Sequence, residues 1–129
     1  MLDEAYAEYA RTAPGYPDTV PAFTRRRPNL FVLRTFSKAY GLAGLRVGYG
    51  VGDAGVVALL YRIRMPFNVA LPSQRAALAA LGDAAFLKRG VAHNARGRAG
   101  LARRLGALGL ACEASATNFL FCASPVPGR

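Results

Sequence analysis

The chain has 129 residues, 53% of them apolar and 19% charged, a composition that excludes a disordered chain and suits about one domain. Its formal charge of +10 comes almost wholly from arginine, since Lys38 and Lys88 are the only lysines. No apolar run approaches the roughly 20 residues of a membrane span, and Met1-Leu2-Asp3-Glu4 has neither part of a secretory leader, so a soluble, cytoplasmic protein is expected.

Asp3 to Tyr9 opens the chain, with a first strand cut off just before Asp3. Arg11 to Pro28 holds Pro14, Gly15, Pro17, Pro21 and the run Arg25-Arg26-Arg27, and reads as loop with at most a short helix. Leu30 to Leu33 is a compact apolar run and predicts a buried strand. Thr35 to Leu45 is small and polar, hence loop, and Arg46 to Val51 predicts a second strand. Asp53 can cap a helix running through Arg64, broken by Met65-Pro66-Phe67-Asn68. A further helix spans Pro72 to Leu81. Asp83 then caps a long basic helix from about Ala84 to Leu105, against which Gly90, Gly97 and Gly100 each count about 1 kcal/mol. Strands near Leu110–Ala114 and Asn118–Ala123 follow, then a tail from Pro125. Alternating strands and helices define an α/β class, although the strands are few for a free-standing sheet.

Cys112 and Cys122 lack metal-ligand spacing and read as a reduced, structural pair. The arginines invite a nucleic-acid reading. They are dispersed, however, and no zinc finger, aromatic RNA-binding motif or helix-turn-helix accompanies them, so that reading is set aside. His93, alone on a helix, has no companion that would make it a base. Asn68 suits either a turn or a place near a dimer interface, and Asn118 has no assigned role.

The chemistry is concentrated in Arg34-Thr35-Phe36-Ser37-Lys38-Ala39-Tyr40-Gly41-Leu42-Ala43-Gly44-Leu45-Arg46. A strand feeds a hydroxyl-rich loop carrying one lysine, then small residues, then an arginine. A lysine amine attacks carbonyls when its surroundings favour the neutral form. Thr35, Ser37 and Arg46 offer the hydroxyls and guanidinium fork that suit a phosphate dianion.

Ser-Lys-x-x-Gly-x-x-Gly-x-Arg, at Ser37 to Arg46, resembles the pyridoxal-phosphate attachment signature of class I/II aminotransferases. The wording from Arg34 to Tyr49 is similar to the histidinol-phosphate aminotransferase branch. Asp3-Glu4-Ala5-Tyr6, Pro66-Phe67-Asn68-Val69 and Thr117-Asn118-Phe119-Leu120 are similar to further family segments in the same order. The resemblance implies an α/β fold of type I: residues 1–83 as the later part of the large cofactor-binding domain, and 84–129 as the start of the small C-terminal domain. It implies pyridoxal 5'-phosphate as cofactor, held by Lys38 as a Schiff base. Asp3 would pair with the ring nitrogen, Tyr6 would hydrogen-bond the phenolic oxygen, and Thr35, Ser37 and Arg46 would hold the phosphate.

The implied reaction is amino transfer between an amino acid and a 2-oxo acid, or imidazole acetol phosphate with glutamate as donor, in a homodimer. An aromatic amino acid aminotransferase and a threonine-phosphate decarboxylase are the rivals within the family. A non-catalytic remnant and a basic nucleic-acid binder are the rivals outside it. Nothing in the chain matches the family's Gly-rich phosphate turn, its ring-stacking aromatic or its substrate-carboxylate arginine. The expectation is therefore a piece of a longer enzyme, with uncovered apolar faces and little or no turnover alone.

Overall fold

The computed structural model describes residues 1–23 and 26–123. Arg25 of the predicted arginine run and the predicted tail from Pro125 to Arg129 lie outside them. Two small sheets and five helices are formed by the described residues. In the first sheet, β1 (Leu2–Asp3) pairs in parallel with β2 (Val32–Thr35), which pairs antiparallel with β3 (Gly48–Val51). Between β1 and β2 lie the short helices α1 (Ala7–Ala10) and α2 (Thr19–Phe23). After β3 come α3 (Ala54–Ile63), α4 (Leu71–Gly82) and α5 (Ala84–Ala107). A second sheet pairs β4 (Ala111–Cys112) with β5 (Cys122–Ala123), antiparallel.

The helix starts follow local chemistry. Asp53 accepts from the Gly55 amide and Asp83 from the Phe86 amide, each at 2.8 Å, satisfying an amide that the helix cannot. Pro72 sits in the first turn of α4, where its missing amide hydrogen costs nothing. The four glycines within α5, Gly90, Gly97, Gly100 and Gly106, do not interrupt it over 24 residues. At its end Gly109 adopts φ +81° and reverses the chain.

The strands are shifted from the sequence reading for one reason, the availability of partners. The apolar run Leu30–Leu33 is read as strand from composition, yet pairing runs over Val32–Thr35, because β1 and β3 are in register only there. At the other side Arg46 takes a left-handed conformation (φ 50°), so β3 begins at Gly48. Cys112 and Cys122, expected reduced, are joined by a disulfide. The β4–β5 register sets them directly opposite, which brings two thiols within bonding reach whatever their spacing in sequence.

The core is small. Phe36, Val47 and Ala77 are buried together, with Tyr40, Leu42, Val69 and Ala80 packed against them, and Val32 is fully buried within the sheet. Against this, Ile63, Met65, Leu108 and above all Phe67 (99% exposed) lie open to solvent. These exposed apolar residues lie on α3 and in loops, not on the strands. Among the described residues no helix is long and apolar enough to cross a membrane.

Gly48 marks the tightest backbone approach in the sheet. A Cβ there would sit 2.7 Å from the Arg34 carbonyl oxygen, a backbone atom that cannot step aside. Gly48→Ala is predicted to cost about 2 kcal/mol, read as a lowered urea midpoint; an unchanged midpoint would show that the strands are not this close.

Candidate functional site

The first sheet has two faces, because successive residues of a strand point to opposite sides. The registers put Asp3, Leu33, Thr35, Gly48 and Gly50 on one face. On the other lie Val32, Arg34, Tyr49 and Val51, with Glu4 one step beyond Asp3. A cavity of about 590 Å³ opens at the first face, lined by Asp3, Leu33, Thr35, Ser37, Lys38 and Arg46 among others. Gly48 and Gly50 line it too, and neither has room for a side chain: a Cβ would meet the Arg34 carbonyl oxygen at Gly48 and the Phe31 ring at Gly50.

The lysine loop is shaped mainly by its own backbone. The Thr35 hydroxyl accepts from the Ser37 amide at 3.1 Å and faces the Val47 carbonyl at 3.5 Å, so the strand ends in a hydroxyl-stabilised turn. The Gly41 amide then donates to the Lys38 carbonyl at 3.0 Å, and Leu42 to Phe36 at 2.9 Å. Gly41 closes this turn at φ +72°, a conformation that a side chain would oppose. The Phe36 ring is buried between Tyr40 and Tyr49 and anchors the loop to the core. Lys38 is thus held on a structured turn.

Arg46 stores a little strain. A non-glycine residue in the left-handed region costs on the order of 1 kcal/mol, and such sites recur where a side chain must be aimed. Its Nη1 donates to the Ala43 carbonyl at 2.8 Å, which fixes the guanidinium at the rim of the cavity. Asp3, at the end of β1, accepts from the Ala5 amide at 2.9 Å and is otherwise exposed to the cavity face. Tyr6 does not line the cavity. Its ring lies against the lysine, with Lys38 Nζ 5.2 Å from the ring centroid, and also meets the Phe119 ring edge-on at 5.6 Å and the Tyr9 ring at 6.4 Å.

Five of the six site residues singled out in the sequence, Asp3, Thr35, Ser37, Lys38 and Arg46, therefore meet around one cavity, and Tyr6 joins through Lys38. Of the remaining candidates, Asn68 is exposed and accepts from Arg64 at 3.2 Å. Asn118 and His93 line a separate cavity of about 210 Å³ beside α5.

The sequence reading missed the groups beneath this face. Glu4 and Arg34 form an ion pair whose side chains are 2% and 9% exposed. Arg34 places Nε and Nη2 on one Glu4 carboxylate oxygen at 3.0 and 2.8 Å, and the Tyr16 hydroxyl donates to the other oxygen at 3.1 Å. Burial pushes the Glu4 carboxyl up, but hydrogen bonds from Thr19, Arg34 and Tyr16 and the guanidinium charge more than reverse this, so it lies below its ordinary value. Burial works against the Arg34 charge as well, and Glu4 and Tyr49 outweigh it, holding the guanidinium above its already high value. Glu8 differs: burial dominates and raises its carboxyl, and its Oε2 has no hydrogen-bond partner among the described residues. The signal that could have found Glu4 was its place next to Asp3 on a strand, which assigns it to the opposite, buried face.

With the geometry in place, kinship is informative. The Aminotransferase class I and II family model matches residues 1–126, and the chain belongs to that family. It is 51% identical over 123 residues to a histidinol-phosphate aminotransferase of Sphingopyxis alaskensis, covering 93% of this chain and 33% of that protein. It is 54% identical over 120 residues to histidinol-phosphate aminotransferase 1 of Cupriavidus pinatubonensis, covering 93% and 31%. The crystal structure of histidinol-phosphate aminotransferase from Sinorhizobium meliloti in complex with pyridoxal-5'-phosphate superimposes with a TM-score of 0.84 at 39% identity, over 92% of this chain and 32% of that one. The α/β architecture is thus part of the fold of that enzyme family, and the chain spans about a third of the length of these relatives.

The buried pair gives stability a definite pH dependence. Because the folded Glu4 carboxyl lies below its unfolded value, its contribution is complete above the unfolded value and is lost as pH falls through the folded one. Glu8, raised chiefly by burial and in small part by the Glu4 charge, acts with the opposite sign, and the difference between wild type and Glu4→Gln reads mainly Glu4. Urea unfolding is predicted to show a gap of about 3 kcal/mol at neutral pH that narrows as pH falls through the carboxylate range. A gap independent of pH would contradict the ionised pair.

Proposed function

We propose that this chain contributes the lysine-bearing part of a pyridoxal-phosphate-dependent aminotransferase site. The observation that carries the reading is the convergence of Lys38, Asp3, Ser37, Thr35 and Arg46 on one cavity. That donor set fits the cofactor: an amine for its aldehyde, a carboxylate for its ring nitrogen, and a guanidinium with hydroxyls for its phosphate. When bound, pyridoxal phosphate supplies an electron sink for the carbanion formed at the substrate α-carbon.

The chain's own residues perform the remaining tasks. Lys38 Nζ would hold the cofactor covalently and, when free, would carry a proton to and from the reacting carbon. Asp3 would pair with the ring nitrogen of the bound cofactor and favour a proton there. Arg46 provides a fixed positive fork for the phosphate and Ser37 a hydroxyl, while Thr35 shapes the turn that presents them. The face of Tyr6 borders the lysine amine and keeps water from that side, with its hydroxyl available to the phenolic oxygen.

The names of the relatives favour amino transfer between glutamate and imidazole acetol phosphate, in histidine biosynthesis, over the aromatic or threonine-phosphate substrates of cousin enzymes. On this reading residues 1–83 belong to the large domain and 84–129 begin the small one. The full-length enzyme works as a cytoplasmic homodimer on small-molecule substrates, and the chain alone turns over poorly because much of the cofactor shell lies elsewhere.

Borohydride reduction of the purified chain with pyridoxal phosphate, followed by peptide mapping, tests the reading. The label is expected on Lys38, to the near exclusion of Lys88, and Lys38→Ala should abolish it. Equal labelling of both lysines would mean surface chemistry without a site.

A further inference from the structure

We infer that Glu4 and Arg34 are positioning residues of this site, the pair that decides which of two adjacent carboxylates faces the lysine. The inference rests on the reading of the Lys38 cavity as a cofactor site.

Asp3 ends β1 and Glu4 follows it directly, and both end in a carboxylate. Strand alternation sends one to the cavity face and the other to the reverse face. A slip of one residue against β2 would exchange them, putting the longer Glu4 side chain in the cavity and burying Asp3. The ladder itself resists such a slip weakly. β1 has only two residues, both exposed, and is tied to β2 by the Leu2 amide on the Phe31 carbonyl and the Glu4 amide on the Leu33 carbonyl, each at 2.8 Å.

What discriminates the two registers is on the reverse face. Arg34 sits level with Glu4, almost wholly buried, and gives two of its donors to one Glu4 oxygen, while Tyr16 satisfies the other. In the slipped register this guanidinium would meet the shorter Asp3 side chain, beyond the reach of such a double contact, and would keep only its longer 3.4 Å contact with the exposed Asp18 carboxylate. A buried charge that loses its close partner is a costly defect in a fold. Arg34 therefore rejects the wrong register more strongly than the pair stabilises the right one. Arg34 also adjoins Thr35 in sequence, so the residue that selects Asp3 for the cavity lies at the root of the turn that presents Lys38.

The test uses the chain as purified, with Glu4→Gln, Arg34→Met, the double variant Glu4→Gln/Arg34→Gln, and Asp3→Asn for reference. Two readouts are taken: hydrogen exchange of the residue 4 amide, and the pH titration of the absorption of chain-bound pyridoxal phosphate. Each single variant is expected to speed exchange at residue 4 by about tenfold while amides of α4 and α5 keep their protection. Each should also move the titration in the direction given by Asp3→Asn. The double variant removes both charges, restores an amide pair across the strands, and should return both readouts toward wild type, even where a single variant is too unstable to study. Unchanged exchange in the single variants, or in the double variant alone an exchange as fast as theirs, overturns the inference. Faster exchange with an unmoved titration also overturns it, because the pair would then be structural only. A wild-type chain that takes no label at Lys38 would instead sink the cofactor reading, and the exchange data would still decide whether the pair holds the register.

Discussion

The ion pair between Glu4 and Arg34 is the constraint on which the site depends. It joins the shortest strand of the first sheet to its central strand, out of water, with both carboxylate oxygens and two guanidinium donors engaged. Such a pair is not a large net source of stability, because taking two charges out of water costs nearly what their attraction returns. Its value lies in what it forbids. With Arg34 fixed beneath the sheet, only one registration of β1 gives its guanidinium the double contact to a buried carboxylate, and in that registration Asp3 faces the lysine loop.

The loop above the pair is built from different materials. Thr35, Gly41 and the buried Phe36 ring shape it through backbone hydrogen bonds and packing, so Lys38 is presented by a turn whose geometry does not rely on the ion pair. The long helix α5 passes close by: a Cβ at Gly90 would lie 3.8 Å from the Ala39 carbonyl oxygen, and the Phe86 ring is near Gly41. Farther along, α5 holds the segment before β5: Asn94 and Arg98 both donate to the Thr117 carbonyl, and two residues on Phe119 meets the ring of Tyr6. The two sheets are thereby linked across the lysine by aromatic contact. The disulfide closes the far end of that second sheet, in strands of only two residues each.

Much of this was legible in the sequence. The helix α3, α4 and α5 boundaries followed from Asp53, Pro72 and Asp83, whose local chemistry is strong enough to act without tertiary help. The lysine motif was legible because its residue types and spacing are specific. The strand limits were not, since a strand ends where its partner ends, and partners are distant in sequence. The disulfide was missed for the same reason: two strands were expected around Cys112 and Cys122, but pairing them in register was needed to see the sulfurs meet. Glu4 and Arg34 were passed over because a charged residue in a short strand looks solvated until its partner, 30 residues away, is found. Tyr6, for which the resemblance implies a hydrogen bond to the phenolic oxygen, presents its ring face to Lys38.

A crystal structure of the chain grown with pyridoxal phosphate would test the central claim most directly. The account predicts density continuous from Lys38 Nζ, with the Asp3 carboxylate on the same sheet face and Glu4 still paired to Arg34 on the other. Density joined to Lys88, or Asp3 turned to the reverse face while Lys38 carries the cofactor, would contradict it.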